Sequence, residues 1–187
     1  MKNIVVVSGL PRSGTSLMMA MLKAGGLPVL TDKIRKADED NPQGYWELEK
    51  VKELKKDHSW LPLAEKKAVK MVSVFLELLP DDYHYQVIFM GREMTEILAS
   101  QKQMLVRRGE KSETSDKQMA AAFQKHLAQI KAWLKKQPNF TVLYLNYNQI
   151  VKNPSLAAKK INHFLNQNLD IDKMKTVVNP KLYRQRK

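Results

Sequence analysis

The sequence predicts an α/β domain with three layers, in which helices cover both faces of a mostly parallel central sheet. Two observations predict it: short, β-branched apolar runs alternate with amphipathic segments, and the first run is followed by a glycine loop and a helix. The length of 187 residues predicts one domain, residues 1–187. Ligands of such folds bind beyond the carboxyl ends of the strands, which places residues 8–16, 91–100 and 147–153 at one edge.

Each element of this fold has its own signal in the sequence. Apolar runs predict strands over residues 4–8, 68–74, 86–90 and 141–147, the second of them interrupted by Lys70. Helical spacing of apolar residues predicts helices over residues 17–22, 94–105, 119–134 and 157–165. Ser115 and Gln118 predict a capping box before the third helix, and Asn153 with Pro154 predicts the start of the fourth.

Three segments fall outside this regular pattern. Residues 31–66 predict an irregular excursion, which contains a charged, solvent-facing helix from Trp46 to Asp57. The polar, glycine-containing stretch 107–116 predicts a loop or a lid. Residues 167–187 are interpreted as a basic C-terminal tail.

The composition predicts an anionic ligand. Lys and Arg number 32 against 19 Asp and Glu, a formal net charge of +13 that attracts anions over a long range. The absence of cysteine excludes disulfides, thiolate metal sites and a cysteine nucleophile. The first apolar run is too short for a signal peptide, and no run approaches the ~18 apolar residues that span a bilayer, so we expect a cytoplasmic protein without a membrane span.

The segment Gly9-Leu-Pro-Arg-Ser-Gly-Thr-Ser16, between the first strand and the first helix, predicts a P-loop-type fold. Its glycines let backbone N–H groups converge at the start of a helix, where an anion is favoured. Thr15 occupies the position of the lysine that an ordinary ATPase or kinase uses for its phosphates, which argues against those enzymes. Arg12 supplies a planar guanidinium that can bind an oxyanion through two hydrogen bonds.

Pro-Arg-Ser-Gly-Thr after an apolar strand resembles the 5′-phosphosulfate loop of the sulfotransferase family, in particular its tyrosylprotein and bacterial branches. The segment Val87-Ile-Phe-Met-Gly-Arg92, with Ser100 eight residues further on, resembles the strand, Arg and Ser of the family's 3′-phosphate site. Two more segments resemble family motifs: Asn-Pro-Gln-Gly-Tyr-Trp-Glu at 41–47, and the strand end at Tyr147 with the Asn-Pro helix start that follows. The resemblance extends from residue 4 to about residue 166.

The resemblance implies transfer of a sulfuryl group, without a metal, from 3′-phosphoadenosine 5′-phosphosulfate (PAPS) to a hydroxyl or amine, leaving adenosine 3′,5′-bisphosphate. It also implies the donor-binding residues: Arg12, Ser13, Gly14, Thr15 and Ser16 at the 5′ side, Arg92 and Ser100 at the 3′-phosphate, and Tyr147 at the adenine. This chain departs from the family at Asn148, where an acidic residue is usual, and it lacks the Arg-Lys-Gly-x-x-Gly element that closes over the nucleotide in cytosolic members. Arg107-Arg108-Gly109 and the basic tail Lys181–Lys187 are two candidate substitutes for that element, and a solvated face is the alternative interpretation of each.

The general base is assigned by the same resemblance. Cytosolic members use a His before a Leu-Pro segment, where this chain has Lys70-Met-Val-Ser73. The tyrosylprotein branch uses a Glu about twenty residues beyond the loop Arg, where this chain has Asp32. Asp32 is therefore the first candidate base and Glu47 the second, and with Arg12 they are the predicted catalytic residues. His58 is interpreted as an ordinary surface histidine.

Two other functions remain open at this point. A P-loop kinase or NTPase would bind magnesium and ATP through Ser16 and would need an acid at a strand end, whereas strand 86–90 ends in Gly-Arg. A nucleotide-binding protein without transferase activity would share the same loop. Nucleic-acid binding is disfavoured, because the basic residues are scattered rather than arranged in a stripe. The acceptor and the oligomeric state stay open.

Overall fold

A computed structural model, which describes residues 2–32, 34–38, 41, 44–110 and 114–180, contains a five-stranded sheet with the order β2-β3-β1-β4-β5. The strands are β1 (Asn3–Gly9), β2 (Val29–Leu30), β3 (Ala68–Lys70), β4 (His84–Gly91) and β5 (Phe140–Asn146). Every pair of neighbours is parallel. The predicted parallel sheet is therefore confirmed, and β1 lies at its centre.

Helices cover both faces of this sheet. They are α1 (Thr15–Ala24), α2 (Leu61–Ala64), α3 (Met94–Arg107), α4 (Asp116–Leu134), α5 (Tyr147–Lys152), α6 (Pro154–Leu165) and α7 (Ile171–Thr176), with 3₁₀-helices at Glu49–Glu53 and Ser73–Leu78. Because side chains alternate along a strand, Val5 and Val7 enter a core with α1, α6 and α7. Ile4 and Val6 enter a second core with α2 and α4. The three-layer α/β architecture is confirmed.

The predicted helix starts agree with the structure. The Ser115 side chain accepts a hydrogen bond from the backbone N–H of Gln118, and the Gln118 side chain accepts one from the backbone N–H of Ser115. Asn153 accepts from the backbone N–H of Leu156 at 3.0 Å, and Pro154 occupies the first turn of α6. Local side-chain chemistry thus fixes where α4 and α6 begin.

The irregular excursion differs from its prediction in one respect. The helix predicted from Trp46 to Asp57 is wrong, since only a 3₁₀-helix at Glu49–Glu53 forms there. The segment is instead tied to the loop after β2: the backbone N–H of Asp32 donates to Glu47 O at 3.2 Å. The side chain of Asp32 accepts from the backbone N–H of Glu49 at 2.6 Å. These tertiary contacts override the helical charge pattern.

Two further boundaries follow from packing rather than from sequence. β3 ends at Lys70, short of the predicted residue 74, because a 3₁₀-helix begins at Ser73. Inside the predicted tail, α7 packs on α1 and α6 through Met174, which is fully buried. The predicted lid 107–116 begins where α3 ends, but residues 111–113 and the tail residues 181–187 lie outside the described part of the chain.

Candidate functional site

The loop between β1 and α1 has a backbone that only particular residues tolerate. Gly9 has φ +148°, and a Cβ there would collide with the carbonyl oxygen of Met90. Gly14 has φ +98°, and a Cβ there would lie 2.5 Å from Cδ2 of Tyr147. Arg12 also adopts a positive φ, 68°, which is uncommon for a residue with a side chain. The glycine loop (residues 9–16) is therefore held tightly against the end of β4 and the start of α5.

Arg12 joins the glycine loop to the predicted 3′-phosphate residues. Its Nε donates a hydrogen bond to Ser100 Oγ of α3 at 2.9 Å. Its backbone oxygen accepts one from Nη1 of Arg92 at 3.2 Å. Arg12 thus contacts two residues that lie 80 and 88 positions further along the chain, and the contacts bring all three to one edge of the sheet.

Arg92 is held from several sides. Its Nε donates to Glu96 Oε2 at 2.9 Å, and the two side chains are only 9% and 5% exposed. Glu96 Oε1 accepts from Nδ2 of Asn148 at 2.9 Å, and the Arg92 guanidinium carbon lies 4.4 Å from the centre of the Tyr147 ring. A buried ion pair with further hydrogen bonds fixes the direction of a guanidinium. We call Arg92, Glu96, Asn148 and Tyr147 the arginine clamp.

Lys70 forms the opposite wall, at the carboxyl end of β3. Its Nζ donates to the backbone oxygen of Tyr45, lies 3.2 Å from Glu47 Oε1 and lies 3.4 Å from Ser16 Oγ of the glycine loop. Burial lowers the pKa of Lys70, and the charge of Glu47 opposes that shift. A lysine that the sequence presents as an interruption of a strand is therefore a cation beside the loop.

The two predicted bases lie in different surroundings. Glu47 lines the cleft, and its carboxylate contacts both Lys70 Nζ at 3.2 Å and Arg35 Nη1 at 3.3 Å. Asp32 is not among the residues that line the described cleft. Its carboxylate accepts from the backbone N–H groups of Ile34 and Glu49 at 3.0 and 2.6 Å, so it stabilises the loop. The geometry brings Glu47, and not Asp32, to the cleft.

Tyr45 closes the cleft beneath Glu47. It is 4% exposed, and its hydroxyl donates to the carboxylate of Asp38 at 2.7 Å. Burial, then the hydrogen bond to Asp38, raises the pKa of Tyr45. The guanidinium of Arg35 stacks on the ring of Tyr45. Because Arg35 also pairs with Glu47, this stacking helps to hold the Glu47 carboxylate in place.

These walls enclose one cleft of about 540 Å³. It collects eight of the predicted site residues: Arg12, Gly14, Thr15, Ser16, Glu47, Arg92, Ser100 and Tyr147. Ser13 is fully buried and donates to the backbone oxygen of Leu10 at 2.7 Å, so its side chain shapes the loop. Cations and hydroxyl groups that face one concave surface can bind a polyanion.

Three side chains of the site have no role assigned to them from the sequence: Lys70, Glu96 and Asn148. Lys70 was visible as a cation inside an otherwise apolar run. Glu96 follows Arg92 by four residues, the spacing at which opposite charges meet on a helix, although α3 itself begins only at Met94. Asn148 carries no sequence signal for its bond to Glu96, because that contact joins α5 to α3 across the edge of the sheet.

Among the described residues, no three His, Cys, Asp or Glu side chains form a group that could hold a metal ion. No helix within the described ranges has both the length and the apolar character needed to cross a membrane.

Comparisons with known structures find the same fold in sulfotransferases. A sulfotransferase from Mycobacterium tuberculosis has a TM-score of 0.63 and 16% identity, over 97% of this chain and 72% of that one. The sulfotransferase domain from the curacin biosynthetic pathway has a TM-score of 0.57 and 16% identity, over 97% of this chain and 80% of that one. A mouse sulfotransferase complexed with PAP has a TM-score of 0.55 and 18% identity, over 95% of this chain and 63% of that one, so this chain spans less than two thirds of it.

Comparison at the level of sequence gives the family. No curated protein sequence matches this chain. The family model described as "Sulfotransferase domain" matches residues 2–185. Because that match includes the glycine loop, the arginine clamp and the Lys70 wall, the chain belongs to the sulfotransferase domain family.

Proposed function

We propose that this protein transfers a sulfuryl group from PAPS to a hydroxyl or amine acceptor, with the cleft at the carboxyl edge of the sheet as its active site. The observation that carries the proposal is the pair of contacts that join Arg12 to Ser100 and Arg92 to Arg12. These contacts set two guanidinium groups and a hydroxyl around one concave surface. Such a donor set fits a nucleotide that carries separate anionic groups.

The glycine loop would bind the 5′ end of the donor. The backbone N–H groups of residues 12–16 stand at the start of α1, where the helix dipole favours an anion. Thr15 and Ser16 line the cleft and add hydroxyl donors. Arg12 would neutralise the leaving 5′-phosphate, since guanidinium binds oxyanions in a fixed planar geometry.

The arginine clamp and Ser100 would bind the 3′-phosphate, the group that separates this donor from ATP. The guanidinium of Arg92 is already oriented by Glu96 and by the Arg12 backbone oxygen. Binding of a phosphate would therefore cost little further side-chain entropy. The Tyr147 ring lies between Gly14 and Arg92, where an adenine could contact the α5 wall.

The opposite wall would serve the transfer itself. When bound, the donor supplies the sulfuryl group: the acceptor oxygen bonds to sulfur, the bond from sulfur to the 5′-phosphate oxygen breaks, and its electron pair stays on that phosphate. Lys70, 3.4 Å from Ser16, would offset negative charge that develops beside the loop. Glu47 would accept the acceptor's proton, with Lys70 and Arg35 holding its carboxylate in place.

Transfer of radioactive sulfur tests the proposal. Purified protein is incubated with [³⁵S]PAPS and a panel of phenols, alcohols and amines, and in parallel with [γ-³²P]ATP, magnesium and the same panel. We expect label from PAPS in at least one acceptor and none from ATP. Transfer of phosphorus without transfer of sulfur would contradict the proposal and favour a kinase. Replacement of Arg12 by Ala serves as the control that links transfer to the cleft.

A further inference from the structure

The cleft continues beyond the residues that the donor would use. The glycine loop, Arg92, Ser100 and Tyr147 line one half of the cleft, whereas most of the other lining residues come from the excursion 31–66, from the end of β3 and the segment after it, and from the later turns of α3. The proposed function assigns to this second half only the charge cluster of Lys70 and Glu47. The other side chains of this half are therefore available to bind the acceptor, and their chemistry indicates its class.

An apolar wall occupies this second half. It consists of Leu48, Met71, Val72, Phe75 and Met104, all of which line the cleft. Met71 is 3% exposed, and Phe75 and Leu48 are anchored against the second core, so the wall is rigid. Two methionine sulfurs and a phenyl ring are favoured neighbours of an aromatic ring. The wall fits an aryl group rather than a sugar.

A pair of arginines stands at the far end of the wall. Ser100, Met104, Arg107 and Arg108 are spaced so that one face of α3 points into the cleft. At 1.5 Å of rise per residue, the arginines lie about 10 to 12 Å along the helix from Ser100. They thus lie about two turns of α3 from Ser100, and Met104 lies between them.

The charge of the cleft favours an anion at that end. Among its described lining residues, seven are Lys or Arg, and Glu47 is the single carboxylate. Glu47 already contacts Lys70 and Arg35, while Lys52 pairs with Glu49 and Arg92 with Glu96, two carboxylates that do not line the cleft. Arg108 forms no ion pair with any described residue, and it is exposed to the cleft. Positive charge that the donor half does not use attracts an acidic ligand.

We propose that the acceptor is a hydroxyaryl acid, whose ring lies on the apolar wall and whose carboxylate is bound by Arg107 and Arg108. The hydroxyl then points toward Lys70 and Glu47. This inference rests on the proposed function, which it deepens by naming the class of acceptor.

Isothermal titration tests the inference separately from transfer. The probes are 3-(4-hydroxyphenyl)propionate and its methyl ester, titrated into the protein alone and with adenosine 3′,5′-bisphosphate. We expect the acid to bind about tenfold more tightly than the ester, the effect of one charge-assisted hydrogen bond. Equal affinities, or tighter binding of the ester, would overturn the inference. Failure of the proposed function would appear instead as absent sulfur transfer.

Two sets of variants locate the effect. The double variant R107Q/R108Q should abolish the preference for the acid and leave binding of the ester unchanged. The double variant K102Q/K125Q removes the same charge from exposed positions that do not line the cleft, and it should keep the preference. The variant F75A should weaken both probes by the same factor. If R107Q/R108Q instead weakens adenosine 3′,5′-bisphosphate and spares the acid-to-ester ratio, the arginines serve the nucleotide and the inference is wrong.

Discussion

The two walls of the cleft are built differently. In the arginine clamp, Arg92 and Glu96 are 9% and 5% exposed; Glu96 lies in the first turn of α3, and Arg92 lies in the short connection between β4 and α3. In the opposite wall, Lys70 is 11% exposed, but its partner Glu47 is 28% exposed, and Arg35, which pairs with Glu47, is 31% exposed. Glu47 and Arg35 belong to a segment with little regular structure. Fixed geometry suits recognition of a constant group, whereas accessible charges suit proton and charge movement. We therefore propose donor recognition for the first wall and transfer for the second.

The largest expected effect comes from the residue that touches both ends of the donor site. Arg12→Ala should lower kcat/KM by about hundredfold to thousandfold, the usual cost of removing a donor to developing charge. Titration should also show loss of binding of adenosine 3′,5′-bisphosphate and of ATP. Lys66→Ala, at an exposed residue with a positive φ of 57°, is the matched control. Equal losses in both variants would mean that backbone strain, not the guanidinium, causes the effect.

The opposite wall, formed by Lys70, Glu47 and Arg35, is tested next by Glu47→Gln. We expect kcat to fall by about hundredfold, the contribution of a general base, while the affinity for adenosine 3′,5′-bisphosphate stays unchanged. Asp32→Asn is the comparison, because the carboxylate of Asp32 binds backbone N–H groups outside the cleft. It should lower stability and leave kcat within a few fold. A larger loss of kcat in Asp32→Asn than in Glu47→Gln would reverse the assignment of the base.

The arginine clamp is tested by Glu96→Gln. Breaking a buried ion pair costs about 3 kcal/mol in the free energy of unfolding, which urea denaturation measures. The released guanidinium of Arg92 should also bind adenosine 3′,5′-bisphosphate less selectively over 5′-AMP. Asp172→Asn breaks an exposed pair with Lys175 and should cost under about 1 kcal/mol. If the two variants are equally stable, the clamp is no more rigid than a surface pair.

The smallest effect is expected at the edge of the clamp. Asn148→Ala removes one hydrogen bond to Glu96 and leaves its ion pair with Arg92, so unfolding should cost about 1 kcal/mol less than in the wild type. Selectivity for the 3′-phosphate should fall less than in Glu96→Gln. A greater loss of selectivity in Asn148→Ala would show that α5, and not α3, orients the guanidinium.

The same contrast explains what could be predicted from the sequence. Strand and helix periodicity, the cap at Ser115 and the start at Asn153 are local signals, and the structure follows them. Parallel topology then brings Arg12, Arg92 and Ser100 to one edge without further information.

The features that escaped prediction depend on contacts between distant segments. The segment 46–57 is shaped by bonds to Asp32 and Lys70, which override its helical charge pattern. The strand β2 has two residues, too few for a periodic signal. The bond from Asn148 to Glu96 joins two helices and leaves no trace in either segment alone.

The most direct test of the account is a titration of adenosine 3′,5′-bisphosphate, 5′-AMP and ATP with magnesium into the wild type and into Arg92→Lys. Lysine keeps the charge beside Glu96 but lacks the planar guanidinium. We predict that the wild type binds the bisphosphate at least about tenfold more tightly than the other two, and that the variant loses this preference. A preference that survives in Arg92→Lys, or one for ATP in the wild type, would contradict the assignment of the clamp to the 3′-phosphate.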